Sequence, residues 1–456
     1  MKLISPTDAL FLVGESREHP MHVGGLQLFE PPAGAGPDFI AELFTEIAGQ
    51  TDVQPTFRKH PAQLFGGISN AAWAFDNDVD VDYHLRRSAL PRPGRARELL
   101  ELTSRLHGAL LDRHRPLWEA HFVEGLEGVG FGMYTKIHHS LIDGVSAQRL
   151  MIRTLSADPD DREVRAPWTL PKKKHADSEP GRASSWLRTV GSAAAAVAGI
   201  APTTVSLARA ALLEQQLTLP FRAPKTMLNV PIGGARRCAA QSWKVQRFRA
   251  VKDTVPGSTV NDVVLAMCSG ALRTYLDEHR ALPETPLVAM VPVSLRGEHE
   301  KDAGGNMVGT ILCNLATDEI DPLKRLEVIS TSMRDNKRIF GELPRPQALA
   351  LSGFLMAGIG LSLLPGFVSS APPPFNIVIS NVPGAREPMY WSGARLSGNY
   401  PLSIALDGQA LNITLTNNAD NLDFGLVGCR RSVPHLQRLL VHLDDSLAAL
   451  ERAAGL

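Results

Sequence analysis

Ile137-His138-His139-Ser140-Leu141-Ile142-Asp143-Gly144 is the stretch on which the reading of this chain turns. Just upstream, Phe131, Met133, Thr135 and Ile137 alternate with Gly132, Tyr134, Lys136 and His138, the period-2 pattern of a strand. The two histidines therefore leave the strand end on opposite faces. Downstream, Val145, Arg149 and Ile152, and likewise Ala147 and Met151, fall at helical spacing, and Asp143 is placed to cap that helix. Gly144 lets the backbone turn closely. A strand, a tight turn and a helix make a frame that can hold side chains rigidly in a cleft.

A neutral imidazole, with an ordinary pKa of ~6.5, can take a proton from an alcohol or thiol near neutral pH and hand it on, which is what acyl transfer asks of a general base. Asp143, four residues after His139, can orient an imidazole or pair with an arginine elsewhere. The competing readings are a structurally satisfied histidine and a metal site. The pair lacks the helical i, i+4 spacing of a zinc site and has no Cys or Glu cluster nearby, so no metal is expected.

His138-His139-Ser140-Leu141-Ile142-Asp143-Gly144 matches the HHxxxDG motif and resembles the CoA-dependent acyltransferase superfamily, which includes chloramphenicol acetyltransferases and peptide-synthetase condensation domains. Further stretches select the branch: Ser5-Pro6-Thr7-Asp8 with Phe11-Leu12, Arg115-Pro116-Leu117-Trp118-Glu119, Asn261-Asp262, and Ser380-Asn381-Val382-Pro383-Gly384. Together they resemble the bacterial wax ester synthase/diacylglycerol acyltransferase family over nearly the whole chain. The resemblance implies an α/β (α+β) fold of two chloramphenicol-acetyltransferase-like subdomains, with mixed sheets flanked by helices and an active-site tunnel at their interface.

Lys+Arg and Asp+Glu are both 47 in 456 residues, so no net field attracts nucleic acid. The 4 cysteines are far apart and form no CxxC pair, which fits a reducing cytoplasm. No secretory signal pattern opens the chain. The composition divides it into a first subdomain at 1–157, a polar linker with apolar crossover helices at 158–240, and a second subdomain at 241–456.

Taken in order, Ser5 reads as a helix cap, Val23 to Phe29 as a strand, 38–50 as an amphipathic helix, and Asp80 to Leu85 as an alternating strand. Leu99, Leu102, Leu106 and Leu110 mark a helix that must end before Pro116. Trp118 is read chiefly as core, with a substrate-tunnel wall as the second reading. From Asp158 to about Ser185 the chain is polar and turn-rich, a mobile surface connection. Trp186 to Leu219 is apolar and reads either as a helix on an anionic membrane surface or as a crossover helix packed over both halves.

Lys244 to Val251 alternates as a strand. Ser258 to Arg280 reads as a helix whose first turn holds Asn261 and Asp262, where a carboxylate suits a capping role; the family resemblance implies that this pair lies near the tunnel. Pro286 to Ser294 is an apolar strand leading to Arg296. No charged residue occurs from Pro346 to Ala385, and its first half is read as an apolar helix that lines an acyl tunnel or dips into one leaflet rather than spanning the bilayer. Phe375 to Ser380 reads as a strand, Asn381 to Gly384 as a turn, Leu411 to Thr416 and Leu422 to Val427 as a hairpin, and the last stretch as a helix capped by Ser432.

These readings lead to transfer of a long-chain acyl group from acyl-CoA, as co-substrate, to diacylglycerol or a long-chain fatty alcohol, without an acyl-enzyme or bound cofactor. The superfamily comparison implies that His139 is the base and His138 supports it, with Asp143 shaping the site through an arginine, for which Arg296 is a candidate. Asn261 and Asn381 are candidate oxyanion donors. Two alternatives use the same residues differently: a carrier-protein-dependent condensation or polyketide acyltransferase, and a non-catalytic lipid-droplet or acyl-binding protein. The expected setting is cytoplasmic, peripheral to the inner face of the plasma membrane or to lipid droplets, with a homodimer among the partner states.

Overall fold

The computed structural model describes residues 2–64, 68–128, 130–171, 220–294, 308–343, 351 and 366–456. In the first half the elements are β1 (Lys2–Leu3), α1 (Pro6–Gly14), β2 (His22–Glu30), α2 (Phe39–Ala48), β3 (Lys59–Leu64), β4 (Ile68–Phe75), α3 (Val81–His84), β5 (Leu85–Ala89), α4 (Ala96–Gly108), β6 (Trp118–Glu124), β7 (Phe131–His138) and α5 (Gly144–Arg153). The second half contributes β8 (Arg236–Lys244), α6 (Val245–Thr254), α7 (Val260–Glu278), β9 (Val288–Ser294), β10 (Val308–Asn314), α8 (Pro322–Glu342), α9 (Phe367–Ser370), β11 (Ile377–Ala385), β12 (Tyr390–Trp391), β13 (Ala394–Leu402), β14 (Leu411–Asn418), β15 (Asn421–Cys429) and α10 (Arg438–Ala453).

Two six-stranded mixed sheets carry the architecture. In the first, β7 lies between β2 and β6 in the order β12-β13-β2-β7-β6-β5. Every residue of β7 is buried because both faces of this sheet are covered. Phe131, Met133 and Ile137 face a core shared with Phe29, Phe122, Leu150, Met151 and Trp168, while Tyr134 faces the larger core on the other side. The second sheet runs β10-β9-β11-β14-β15-β8. Helix α7 lies on it, buried along most of its length and flanked by α6, α8 and α10. A small sheet, β1-β4-β3, sits beside α1.

The halves are interleaved. Strands β12 and β13, more than two hundred residues after β7, complete the first sheet, with Asn399 opposite Gln27 and Leu402 opposite Gly24. β13 also packs across β15, where a Cβ at Gly425 would collide with the carbonyl of Pro401, so that crossing needs glycine. Helix α4 packs on β8, and α5 packs on β11. The helix that leaves the His-His turn is therefore held against a strand of the second half.

Several expected elements differ. In place of the strand expected from Asp80 to Leu85 stands the short helix α3 (Val81–His84), because the Asp80 side chain accepts from Tyr83 N–H at 3.2 Å and so begins a turn; Leu85 opens β5. Lys244 to Val251 is the helix α6, and the strand expected there ends at Lys244; its Val245, Phe248 and Val251 are buried at helical spacing. Asn381 to Gly384 continues β11 rather than turning, with Pro383 taken up in an irregularity between Val382 and Ala385. The final helix starts at Arg438, not at Ser432. Of the expected surface connection, residues 158–163 are largely exposed, but Val164, Ala166 and Trp168 are buried in the first core and Trp168 stacks on Trp118 at 4.9 Å. The expected helices at 186–219 and 346–365 lie outside the described residues, apart from Leu351, which is buried.

Candidate active site

The Arg115-Pro116-Leu117-Trp118 stretch and the loop before β2 fix the backbone at the end of β7. His138 N–H donates to the carbonyl of Leu117 at 3.0 Å, and His139 N–H donates to that of Met21 at 2.8 Å. The chain then turns, with Leu141 N–H bonding back to His138 at 2.9 Å. Asp143 caps α5: its carboxylate accepts from Ser146 N–H at 2.8 Å and from Ser146 Oγ at 2.9 Å. Both oxygens are engaged locally by Ser146, and no ion pair between Asp143 and an arginine is seen among the described residues. Arg296 lies outside the described residues. A Cβ at Gly144 would meet nothing within 4 Å, so the turn itself does not demand glycine; its missing side chain leaves room at the start of α5.

The two imidazoles diverge as the strand parity requires. His138 is fully buried and opposite His22 in the sheet. Its Nδ1 accepts from Ser140 N–H at 3.1 Å and lies 2.6 Å from Ser140 Oγ. That leaves Nε2 as the protonated nitrogen in the neutral ring, 3.3 Å from the Glu15 carboxylate, an ion-pair contact without in-line hydrogen-bond geometry. Glu15 follows α1 and also accepts from Arg113 Nε at 3.0 Å and Met21 N–H at 3.2 Å. Burial alone would raise the Glu15 carboxyl, but contact with His138, the Met21 amide and Arg113 outweighs it and holds the carboxyl below the usual range.

His139 lies on the other face, half-buried, with its ring stacked on Phe11 of α1 at 4.2 Å and 14°. Ser5 caps that helix, accepting from Asp8 N–H at 3.1 Å. Burial pushes the His139 pKa down to about 4; the Asp143 charge and its own backbone carbonyl oppose the fall, and His138 adds to it. The ring is therefore neutral across the physiological range. Its Nδ1 is buried. Behind the site, Lys136 is fully buried against Glu119 at 3.2 Å and ties down the end of α4 by donating to the carbonyls of Leu106 and Ala109 at 3.2 and 3.1 Å.

The family model described as the wax ester synthase/diacylglycerol acyltransferase catalytic domain matches residues 4–264, and the WS/DGAT C-terminal domain matches residues 304–451. The chain belongs to the wax ester synthase/diacylglycerol acyltransferase family. A relative from Mycobacterium tuberculosis H37Rv, "Probable diacyglycerol O-acyltransferase tgs2", is 63% identical over 100% of both chains. "O-acyltransferase WSD" of Acinetobacter baylyi is 41% identical over 99% of this chain and 97% of its own. The solved wax ester synthase/diacylglycerol acyltransferase of Marinobacter aquaeolei VT8 superposes with a TM-score of 0.81 at 40% identity, covering 100% of both chains. A condensation domain of the calcium-dependent antibiotic synthetase shares the fold, with a TM-score of 0.57 at 18% identity. The protein is thus an O-acyltransferase with the expected fold of two chloramphenicol-acetyltransferase-like subdomains.

In this acyltransferase the turn gathers His138, His139, Asp143 and Gly144, whereas the other predicted residues are spread out. Trp118 is core: its indole donates to Phe57 O at 2.9 Å and its rings are covered by His84 and Trp168. Asp262 closes a capping box with Thr259, accepting from its N–H at 2.8 Å, and Asn261 is half-buried in the same first turn. Asn381 is exposed on β11, the strand against α5. Glu15 and Phe11 were missed as site residues. Neither belongs to the His-His turn, and only the fold of α1 over β7 brings them to it. Among the described residues no group of three or more His, Cys, Asp or Glu side chains is arranged to hold a metal ion. No helix among them is long and apolar enough to cross a membrane.

Proposed function

We propose that the protein transfers a long-chain acyl group from acyl-CoA to the hydroxyl of diacylglycerol or of a long-chain alcohol, with His139 as general base. The observation that supports this is His139 itself: a neutral imidazole at the His-His turn, on the strand face opposite His138 and stacked on Phe11, with Nε2 assigned here as the atom that takes the acceptor's proton. The oxygen then attacks the thioester carbonyl, the tetrahedral adduct collapses with cleavage of the carbon–sulfur bond, and the imidazolium returns the proton to the departing thiolate. No acyl-enzyme is needed. A ring with a low pKa is a weak base at equilibrium, but its imidazolium is a strong acid for the return step.

His138 serves as a positioning residue, locked by Ser140 and Glu15. Asn381, carried beside α5, is assigned to the developing oxyanion, with Asn261 as the second candidate donor. Both acceptor classes fit the family's name, and an apolar acceptor places the enzyme at a lipid surface, as a membrane face or a lipid droplet offers. His139→Ala is expected to lower acceptor-dependent release of CoA thiol by ~10²- to 10⁴-fold. Full activity in that variant would remove His139 as the base, and activity with carrier-bound but not CoA-bound acyl groups would replace the donor.

A further inference from the structure

The turn that precedes β2 touches both histidines of the His-His turn at its stem and the second half of the chain at its tip. At the stem, Met21 N–H donates to the Glu15 carboxylate at 3.2 Å. That carboxylate lies 3.3 Å from His138 Nε2, and the Met21 carbonyl accepts from His139 N–H at 2.8 Å. The position of the stem therefore sets both imidazoles. Between its two sides the chain reverses sharply. Ser16 and His19 exchange two backbone hydrogen bonds, at 3.2 and 3.0 Å, and Ser16 Oγ lies 3.0 Å from His19 Nδ1. Only Pro20 separates His19 from Met21, and its ring fixes φ, so the link from tip to stem is stiff.

The tip is seated on the second half. His19 Nε2 lies 2.9 Å from Asp407 Oδ1, in the loop between β13 and β14. The same oxygen accepts from Ile232 N–H at 2.7 Å, which fixes the carboxylate. Arg236 of β8 ties the two loops together, donating to the Glu18 carbonyl at 2.6 Å and to the Ala405 carbonyl at 3.2 Å. Arg17 backs onto Gly234 so closely that a Cβ there would meet the Arg17 carbonyl at 2.5 Å. Burial would raise the Asp407 carboxyl, but His19, the Ile232 amide and Arg236 outweigh it and hold the carboxyl below the usual range. The group that meets the imidazole is thus a carboxylate.

We infer that His19 and Asp407 are positioning residues: their contact, backed by Arg236, seats the 15–21 turn on the second half and so sets the attack geometry of His139. Neither touches the reacting atoms. The catalytic turn of the first half is then correctly placed only while the second half is docked at this point. The inference rests on His139 as the base, as given above.

The test compares His19→Leu, His19→Gln and Asp407→Ala in the full-length protein. Leucine removes the nitrogen that meets Asp407, whereas glutamine keeps an amide donor there. His19→Leu and Asp407→Ala are expected to lower kcat ~10-fold, short of the ~10²-fold that a 1 Å misplacement can cost. KM for acyl-CoA and for the lipid acceptor should stay at the wild-type values, and His19→Gln should recover most of the lost kcat. Hydrogen–deuterium exchange reads the same contact without chemistry: the peptide covering His138 to Leu141 should exchange faster in His19→Leu and Asp407→Ala, because His139 N–H loses its fixed partner at Met21, while α10 exchanges as in wild type. Wild-type kcat or wild-type exchange of that peptide in His19→Leu would overturn the inference, as would a loss confined to KM. His19 is partly exposed, so its variants carry the test if Asp407→Ala does not fold. A wild-type protein without turnover on either acceptor would instead refute the acyl-transfer reading, and the exchange comparison would still decide whether His19 and Asp407 hold the turn.

Discussion

Phe11→Ala should change the pH dependence of this enzyme more than its maximal rate. In the wild type, burial holds His139 at a pKa of about 4, against an ordinary 6.5, with the Phe11 ring stacked 4.2 Å from the imidazole. That drop corresponds to ~3 kcal/mol of disfavour for the imidazolium. Removing the ring admits water to one face and relieves part of the desolvation, moving the pKa toward ~6. At pH 5 a base of pKa ~4 is about nine-tenths neutral, whereas one of pKa ~6 is about one-tenth neutral, so kcat/KM falls ~10-fold there. At pH 7.5 both forms are almost wholly neutral and the titration effect vanishes. The assay is acceptor-dependent thiol release between pH 4.5 and 8. An acid limb in the variant that coincides with the wild type's, or a wild-type limb near 6.5, would refute the argument that burial sets the base.

Three further outcomes follow from the same geometry. His107, buried and held at about 3, and His139, at about 4, bind protons more readily when unfolded, so stability present above pH 6.5 is lost as pH falls through 6.5 toward 3; denaturant midpoints across that range check it. Asp143→Ala should cost ~1 kcal/mol through loss of the α5 cap, and Asp143→Ser should recover most of that loss in a melting experiment. Trp118→Ala should lower stability by ~3 to 5 kcal/mol while leaving acyl-chain preference unchanged, because the residue is packed between His84 and Trp168 rather than against substrate.

The features readable from the sequence were those specified locally. The strand to His138, the turn and the Asp143 cap follow from period and cap chemistry within about twenty residues, and the capping role of Asp262 and the hairpin between β14 and β15 are equally local. What could not be read was non-local. Nothing in the alternation of Ala394 to Leu402 says that it completes the sheet of the other half, since its partner β2 is chosen by packing across the chain. Trp168 looked like part of a polar connection because its neighbours are polar, yet one indole can bury what the flanking residues do not. Lys244 to Val251 satisfies both periods over so short a window, and tertiary burial of Phe248 decided for helix. At the site, the motif brings the histidines, but Glu15 and Phe11 reach them only because α1 lies over the end of β7.

The most direct measurement is CoA thiol release by the purified protein given long-chain acyl-CoA, with diacylglycerol and a long-chain alcohol supplied separately. Release that depends on either acceptor, and is lost in His139→Ala, is the predicted result. Release that is independent of acceptor, or unchanged in His139→Ala, would contradict base-assisted transfer from CoA to a hydroxyl.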